Sequence, residues 1–422
     1  MSIFRAYLER QQPPVVTVHL PAEDGGSTFF VTIPCHDEPD LITSLQSLAD
    51  CDPPSSVVTV IVVVNSSDQA APEILEHNQQ TVTDTLKWWK GGQQPFYRLC
   101  LLQAASLPSK WAGVGWARKL AMDEAVSQLE RLGESEGILV AFDADCTVSK
   151  NYFTAIEATF KNNPGFHFAN LSFSHPVDDR NLTPRLREGI IRYELYLRYL
   201  RKAMEWIGYP HAIHTIGSSF AVRATSYIKQ GGMNRRQAGE DFHFLHKMVL
   251  LGDYGLISDA MVYPAARISH RVPFGTGAAL KRWEEGDQEL YSVYSLRIFE
   301  TLRPLFLDPG FFFSHDQEGW VEKITKFDSL LQDYLSSTGT LPRLLELKKN
   351  CSDVRTFSKR FYHLINAFWI IQYLNNCETK AGGKENLLAE ALLLLKTLQP
   401  NTPGNLTVKE MLEEYRRMDG IQ

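Results

Sequence analysis

Residues Gly137 to Lys150 read GILVAFDADCTVSK. An apolar run, Ile138 to Phe142, stops on two aspartates, Asp143 and Asp145, with one alanine between them. Desolvating an unpaired carboxylate is costly, so this pair must either reach water or meet a cation. In extended backbone, residues two apart point to the same side, roughly 6 to 7 Å apart, close enough to serve one site. The stretch therefore reads as a buried strand that delivers two carboxylates to its end, where a divalent metal or a solvated turn would each satisfy them.

Upstream, the pattern alternates strands with helices. VVTVIVVV (Val57 to Val64) is so apolar that both faces must be buried, the mark of a central parallel strand. FFVTIP (Phe29 to Pro34) is a second strand, and DLITSLQSLAD between them repeats apolar residues at helical spacing. FYRLCLLQ (Phe96 to Gln103) reads as a third strand, and Gly115 to Leu132 as a helix leading into the strand that ends at Asp143. The order β-α-β-α-β-α-β predicts an α/β fold with a mostly parallel, Rossmann-like sheet flanked by helices. Past Asp145, a helix over Tyr152 to Phe160 precedes the strand HFANLSFS, and Arg185 to Trp206 forms a long charged and aromatic helix. From Leu280 onward the pattern is helical to the end. LINAFWIIQYL is a core helix too short to span a bilayer, and ENLLAEALLLLKTL is an amphipathic helix expected to pack on the body of the protein, with docking to a membrane surface or a partner as the alternative.

Composition narrows the function. A chain of 422 residues, 44% hydrophobic and 11% aromatic, can bury a sizeable core. A formal net charge of -6 argues against a general nucleic-acid binder, which needs cations for phosphates. Six scattered cysteines without a CxxC pair fit reduced thiols, with Cys35 and Cys146 as packing residues. The N-terminus carries charges where a signal peptide needs an apolar run, and no segment approaches a membrane span. A cytoplasmic protein is expected, with peripheral membrane contact left open.

In open α/β sheets, ligands bind outside the carboxyl ends of the strands. The residues at those ends are Pro34, Cys35, His36, Asp37, Glu38 and Pro39, then Asn65, Ser66, Ser67 and Asp68, then Asp143 and Asp145. Taken singly, each is explained by a turn or a helix cap. Three such ends at one edge ask for more. Gly113 and Gly115 precede a helix carrying Arg118; Gly217, Ser218 and Ser219 precede a strand; Glu240 and Asp241 open a helix; His270 and Arg271 follow another apolar stretch.

In order, these segments resemble the GT-A glycosyltransferases, in particular glycosyltransferase family 2, over about residues 29 to 277. IPCHDEPDLITSLQSL is similar to a first strand and loop of the type I-P-x-Y-N-E, and VIVVVNSSD to V-V-D-D-G-S-x-D. GVGWARKLAMDEA is similar to the G-x-x-x-A-R-N helix, and VAFDADCTVSKNYF to the DxD element. GSSFAVRATSYIKQGG followed by GEDFHFL is similar to the acceptor-side element with its terminal E-D pair. The resemblance implies that Pro34, His36, Glu38 and Asn65 hold the nucleotide, with Arg118 nearby and Asp143 on ribose or metal. Asp145 would bind Mn2+ or Mg2+ bridging the donor diphosphate, His270 would be a further ligand, and Arg271 would help neutralise phosphates. Asp241 would be the general base, with Glu240 beside it. Where the family often has aspartate, this chain has Asn65, which can donate as well as accept.

The resulting expectation is a metal-dependent hexosyltransferase-type enzyme moving a sugar from a UDP- or GDP-sugar to a hydroxyl acceptor, inverting by single displacement, with a retaining outcome as the alternative stereochemistry. Its glycosyltransferase domain would span residues 1–279, with a nucleotide-sugar half over about 15–150. The acceptor half would cover about 151–279, with a helical insertion at about 183–210, and a helical region would fill 280–422. Two alternatives stand beside it. A nucleotidyltransferase on a similar fold would need a basic loop where PCHDEPD is acidic. A non-catalytic nucleotide-sugar or carbohydrate binder would not need Asp145 or Asp241.

Overall fold

The computed structural model describes residues 2–21, 25–92, 95–237, 239–269, 275–287, 290, 292–381 and 383–421. The chain divides into two compact units, one built from the residues up to 190 and from 215 to 285, the other from 191–214 and 286–420.

The first unit is built on one sheet. Its strands are β1 (Thr17–Leu20), β2 (Phe29–Cys35), β3 (Val58–Ser67), β4 (Arg98–Leu107), β5 (Ile138–Ala141), β6 (Thr147–Val148), β7 (Phe168–Phe173), β8 (Phe220–Arg223) and β9 (Tyr254–Tyr263). Its helices are α1 (Ile3–Leu8), α2 (Leu41–Ala49), α3 (Pro72–Gly91), α4 (Val114–Leu132), α5 (Tyr152–Asn162), the start of α6 (Pro184–Trp206), α7 (Ala224–Lys229), α8 (Glu240–Met248) and α9 (Thr276–Glu284). The strand order is β1-β4-β3-β2-β5-β8-β7-β9-β6.

The fold is α/β, as the alternation of strand and helix predicts. Strands β4, β3, β2 and β5 run parallel and form one half of the sheet. The other half is mixed: β8 is antiparallel to both β5 and β7, β7 and β9 are parallel, and β6 closes that edge antiparallel. On the opposite edge the short, half-exposed β1 runs antiparallel to β4.

Burial explains the parallel half. Val60, Ile61, Val62, Val63 and Val64 of β3 are fully buried between α-helical layers. Each such side chain contributes about 1.5–3 kcal/mol on leaving water, so this strand has no alternative at the surface. Pro34 cannot donate to a ladder, yet it lies in β2 opposite Val63. Strand β5 pairs with β2 only from Phe29 to Thr32, so Pro34 sits past the end of that ladder, where a missing N–H is tolerated. Because β2, β3 and β5 are parallel, their carboxyl ends emerge at one edge and carry their following loops there together.

The second unit is helical. It comprises the rest of α6, then α10 (Leu296–Leu307), α11 (Phe311–Ser314), α12 (Gln317–Ile324), α13 (Ser329–Ser337), α14 (Thr340–Lys349), α15 (Val354–Leu364), α16 (Ala367–Ala381), α17 (Leu387–Leu398) and α18 (Val408–Met418). A two-residue pairing, β10 (Ser292–Val293) with β11 (Glu385–Asn386), interrupts the helices. Its core includes Phe299, Leu331, Leu344, Phe361, Tyr373 and Leu395. Beside this core lies a buried ionic network: Arg198 and Arg416 grip Glu194, while Arg198, Arg201 and His214 converge on Asp419. Among the described residues, no helix is long and apolar enough to cross a membrane.

Candidate active site

The loops after β2, β3 and β5 meet helices α4 and α8 at the carboxyl edge of the parallel strands. Arg118, on the second turn of α4, is 1% exposed and is held by two carboxylates from distant segments. Its Nη2 donates to Asp143 Oδ1 at 2.7 Å and its Nε to Glu240 Oε1 at 3.3 Å. Burial alone would lower the guanidinium pKa, but Asp143 and Glu240 outweigh it and raise it, so the cation is permanent. Its Nη1 is buried with no partner among the described residues.

Two acids open α8. Burial raises the Glu240 carboxyl, and Arg118 offsets part of that rise. Asp241 is pushed up to about 8, first by burial and then by the Glu240 charge, although its Oδ1 accepts the Phe242 N–H at 2.7 Å. The backbone comes close here because residue 217 is glycine: a Cβ there would stand 2.9 Å from Arg118 Nη2 and 3.2 Å from Asp241 Oδ2. The same logic explains Gly115, where a Cβ would stand 2.9 Å from Glu240 Cβ. Gly113 meets the backbone of Gln237 in the same way. These glycines seat α4 against the segment leading into α8.

Asp143 and Asp145 follow β5, with side chains 35% and 25% exposed. Between them Ala144 is buried, and its carbonyl accepts from Ser44 Oγ at 2.8 Å. Asp145 Oδ2 stands 3.5 Å from Arg267 Nη2. Arg267 also donates to the buried Glu38 and lies 3.1 Å from Asp40 Oδ2. The acidic PCHDEPD loop therefore gathers around a guanidinium supplied from beyond β9. Glu38 is 3% exposed and also accepts the Asp40 N–H at 2.9 Å. Desolvation lowers the Arg267 pKa, and Glu38, Asp145 and Asp40 raise it above its ordinary value.

A third group fixes the end of β3. The Asn65 carbonyl lies 2.8 Å from His36 Nδ1 and accepts from Asn78 Nδ2 at 3.0 Å. Asn78 Oδ1 in turn accepts the Asp37 N–H at 2.9 Å. Asp37 has φ 48, a left-handed conformation that a short polar residue adopts at less cost than most. Its carboxylate is 2.8 Å from His77 Nδ1. The Asn65 side chain is buried, and its Oδ1 has no partner among the described residues. An orphaned buried acceptor costs about 1–3 kcal/mol, which a ligand donor would recover.

The residues singled out in the sequence therefore fall into place unevenly. Arg118, Asp143, Glu240 and Asp241 form one cluster. Asp145 and Glu38 share Arg267, and His36 and Asn65 share the β3 end. Pro34 is buried inside β2. His270 and Arg271 lie outside the described residues. Arg267 and Asn78 carry no motif and escaped sequence reasoning. The available signal was the acidity of CHDEPD, which demands a cation once Glu38 is buried. Cys35 and Cys146 are buried, and burial pushes the Cys146 thiol well above its ordinary range, as expected of packing residues.

The donor set suits a hard divalent cation shared with a substrate. Asp143 and Asp145 lie not on extended backbone, as the sequence suggests, but in a tight turn that the Cys146 N–H closes on the Asp143 carbonyl at 3.2 Å. Both carboxylates are partly open to solvent, and Mg2+ or Mn2+ sites often take one or two carboxylates plus substrate phosphates. Among the described residues no group of three or more histidines, cysteines or acids forms a complete protein cage. The remaining ligands would have to come from a substrate and water.

No protein-family model matches the chain, and no curated protein matches it. Among solved structures it is similar to residues 1–349 of S. aureus TarS in complex with UDP-GlcNAc, at 14% identity and a TM-score of 0.39, over 82% of this chain and 92% of that one. GalNAc-T7 with UDP, GalNAc and Mn2+ follows at 15% identity and a TM-score of 0.36, over 74% and 54% of the two chains. The mannosyltransferase PcManGT from Pyrobaculum calidifontis, in complex with GDP-Man and Mn2+, gives 14% identity and a TM-score of 0.34, over 86% and 90%. Likenesses this distant do not assign an activity to the chain.

Proposed function

We propose that the protein is a glycosyltransferase that moves a sugar from a UDP- or GDP-sugar to a hydroxyl acceptor by a single inverting displacement, using Mn2+ or Mg2+. The observation that carries this reading is the convergence of Arg118, Asp143, Glu240 and Asp241, from three distant segments, at the carboxyl edge of the parallel strands. A permanent cation, metal-suited aspartates and a carboxyl titrating near neutrality are the parts that such a transfer needs.

Asp143 and Asp145 hold the cation in this reading, and when bound it stabilises charge on the departing diphosphate. Arg118 keeps a free buried N–H for an anion, and Asn65 keeps a free acceptor for a base or ribose. Asp241 takes the acceptor proton as the acceptor oxygen bonds to the anomeric carbon and the carbon–oxygen bond to the diphosphate breaks. Glu240 positions Arg118 and, by its charge, raises the affinity of Asp241 for that proton. The free cysteines agree with a reducing, cytoplasmic setting. The test is release of UDP or GDP from a panel of nucleotide sugars, with water as the default acceptor. One donor should be consumed, with a rate rising toward pH 8 and falling about a hundredfold or more in Asp241→Asn. A rate unchanged by that substitution rules out the assigned base.

A further inference from the structure

The second unit carries a basic face that the proposed reaction does not use. Helices α14 and α15 pack side by side. Arg343 and Lys349 of α14 and Arg355, Lys359 and Arg360 of α15 are exposed. Helical spacing places Arg355, Lys359 and His363 on one line, while Phe357 and Phe361 are buried on the other side. Among the described residues, none of these five cations has an acidic partner, whereas Lys326, Lys380 and Arg417 elsewhere in the unit are each paired with an acid. Like charges at this spacing repel one another. The His363 imidazole registers that field: partial burial, then Lys359 and Arg360, hold it below its ordinary value.

Beside the basic face lies an apolar edge. Val354, the first residue of α15, is 47% exposed, and Leu307, the last of α10, is 71% exposed. Val354 packs against Gly310, three residues beyond Leu307, and the rings of Phe313 and Phe357 lie 5.6 Å apart and tie α11 to α15. A chain of net charge -6 thus carries, on two neighbouring helices, five exposed cations with no acidic partner among the described residues, and it exposes aliphatic side chains at Val354 and Leu307 beside them in sequence.

We propose that this face docks the protein on an anionic phospholipid surface. The cations would meet the headgroups, and Leu307 and Val354 would enter the headgroup–acyl boundary, the division of labour that interfacial helices use. A nucleic acid would engage the cations alone and leave the aliphatic edge without a role.

The test is co-sedimentation of the full chain with vesicles of phosphatidylcholine alone and with one third phosphatidylglycerol, at low and physiological salt, beside a duplex-DNA binding assay. The expected result is binding to the anionic vesicles only, weakened by salt. Each cation near such a surface is worth about fivefold in partitioning, so Lys349→Gln, Arg355→Gln and Lys359→Gln together should weaken it on the order of a hundredfold. Leu307→Ser with Val354→Ser should weaken it without altering the salt dependence. Lys349, Arg355 and Lys359 are exposed and have no acidic partner among the described residues, so the thermal melt of the triple variant should match the parent, and the Leu307→Ser, Val354→Ser variant, which loosens the Val354 contact with Gly310, is assayed below its own melting temperature. The proposal fails if the parent ignores anionic vesicles, if it binds neutral vesicles equally, or if either variant binds as the parent does. Binding to DNA in place of vesicles would assign the face to nucleic acid instead.

Discussion

Replacing Asp241 by asparagine tests the site without knowledge of its substrate. The carboxyl has an ordinary value of 3.8 and is pushed up to about 8 in the folded chain by burial and by Glu240. A raised acid stabilises the fold fully only below its unfolded value, and that contribution is lost as pH climbs through the folded value. Wild type therefore loses stability between about pH 4 and pH 8 because Asp241 must ionise in place. An asparagine side chain carries no such charge. Each pKa unit corresponds to about 1.4 kcal/mol, so from pH 5 to pH 9 the Asp241→Asn variant should gain several kcal/mol of stability relative to the parent. Groups that titrate equally in both proteins cancel. Urea denaturation of both at pH 5, 7 and 9 measures this directly. A stability difference that stays constant across that range would refute the partly buried placement of Asp241 beside Glu240.

Other outcomes follow from the same geometry. Arg267→Ala leaves Glu38 buried without its cation and should cost about 2 kcal/mol or more in urea denaturation, with Glu38→Gln restoring much of the loss in the double variant. Gly217→Ala places a methyl against Arg118 and Asp241, so it should cost about 1–3 kcal/mol and weaken nucleotide binding in calorimetry. In the second unit, burial pushes His214 down to about 4, while for Asp419 burial is outweighed by His214, Arg201 and Arg198, which hold it below its ordinary range. Both depressed groups contribute stability above their unfolded values and lose it as pH falls. Hydrogen exchange in α18, corrected for intrinsic rate, should therefore show weakening from about pH 6.5 toward pH 4, with a flatter profile in His214→Gln.

The parallel half of the first unit was legible because its strands are buried on both faces. β3 is a continuous apolar run, and nothing but a central strand accommodates it. In the mixed half the strands HFANLSFS and Phe220–Arg223 were legible one by one, but their arrangement was not: pairing β8 between β5 and β7 is a non-local choice that no short run signals on its own. β1 escaped because an edge strand with an exposed face lacks the apolar contrast that marks a core strand. At the site, the acids were visible since each follows a recognisable strand or opens a helix. Their cations were visible only in part: Arg118 sits in a helix beside a glycine pair, whereas Arg267 lies in an unremarkable stretch. Its partnership with Glu38 spans the sequence from the first loop to the region after β9, and only the folded chain brings the two together.

The central claim is a nucleotide site that needs a divalent cation held by the aspartates after β5. Calorimetric titration of UDP and of GDP, each with and without Mn2+, into wild type and Asp145→Ala tests it most directly. The account predicts that one nucleotide binds wild type tightly only with Mn2+ and that Asp145→Ala abolishes this. If neither nucleotide binds, or if binding is indifferent to both the metal and Asp145, the account is contradicted and the paired aspartates are a solvated turn closed by Arg118 and Arg267.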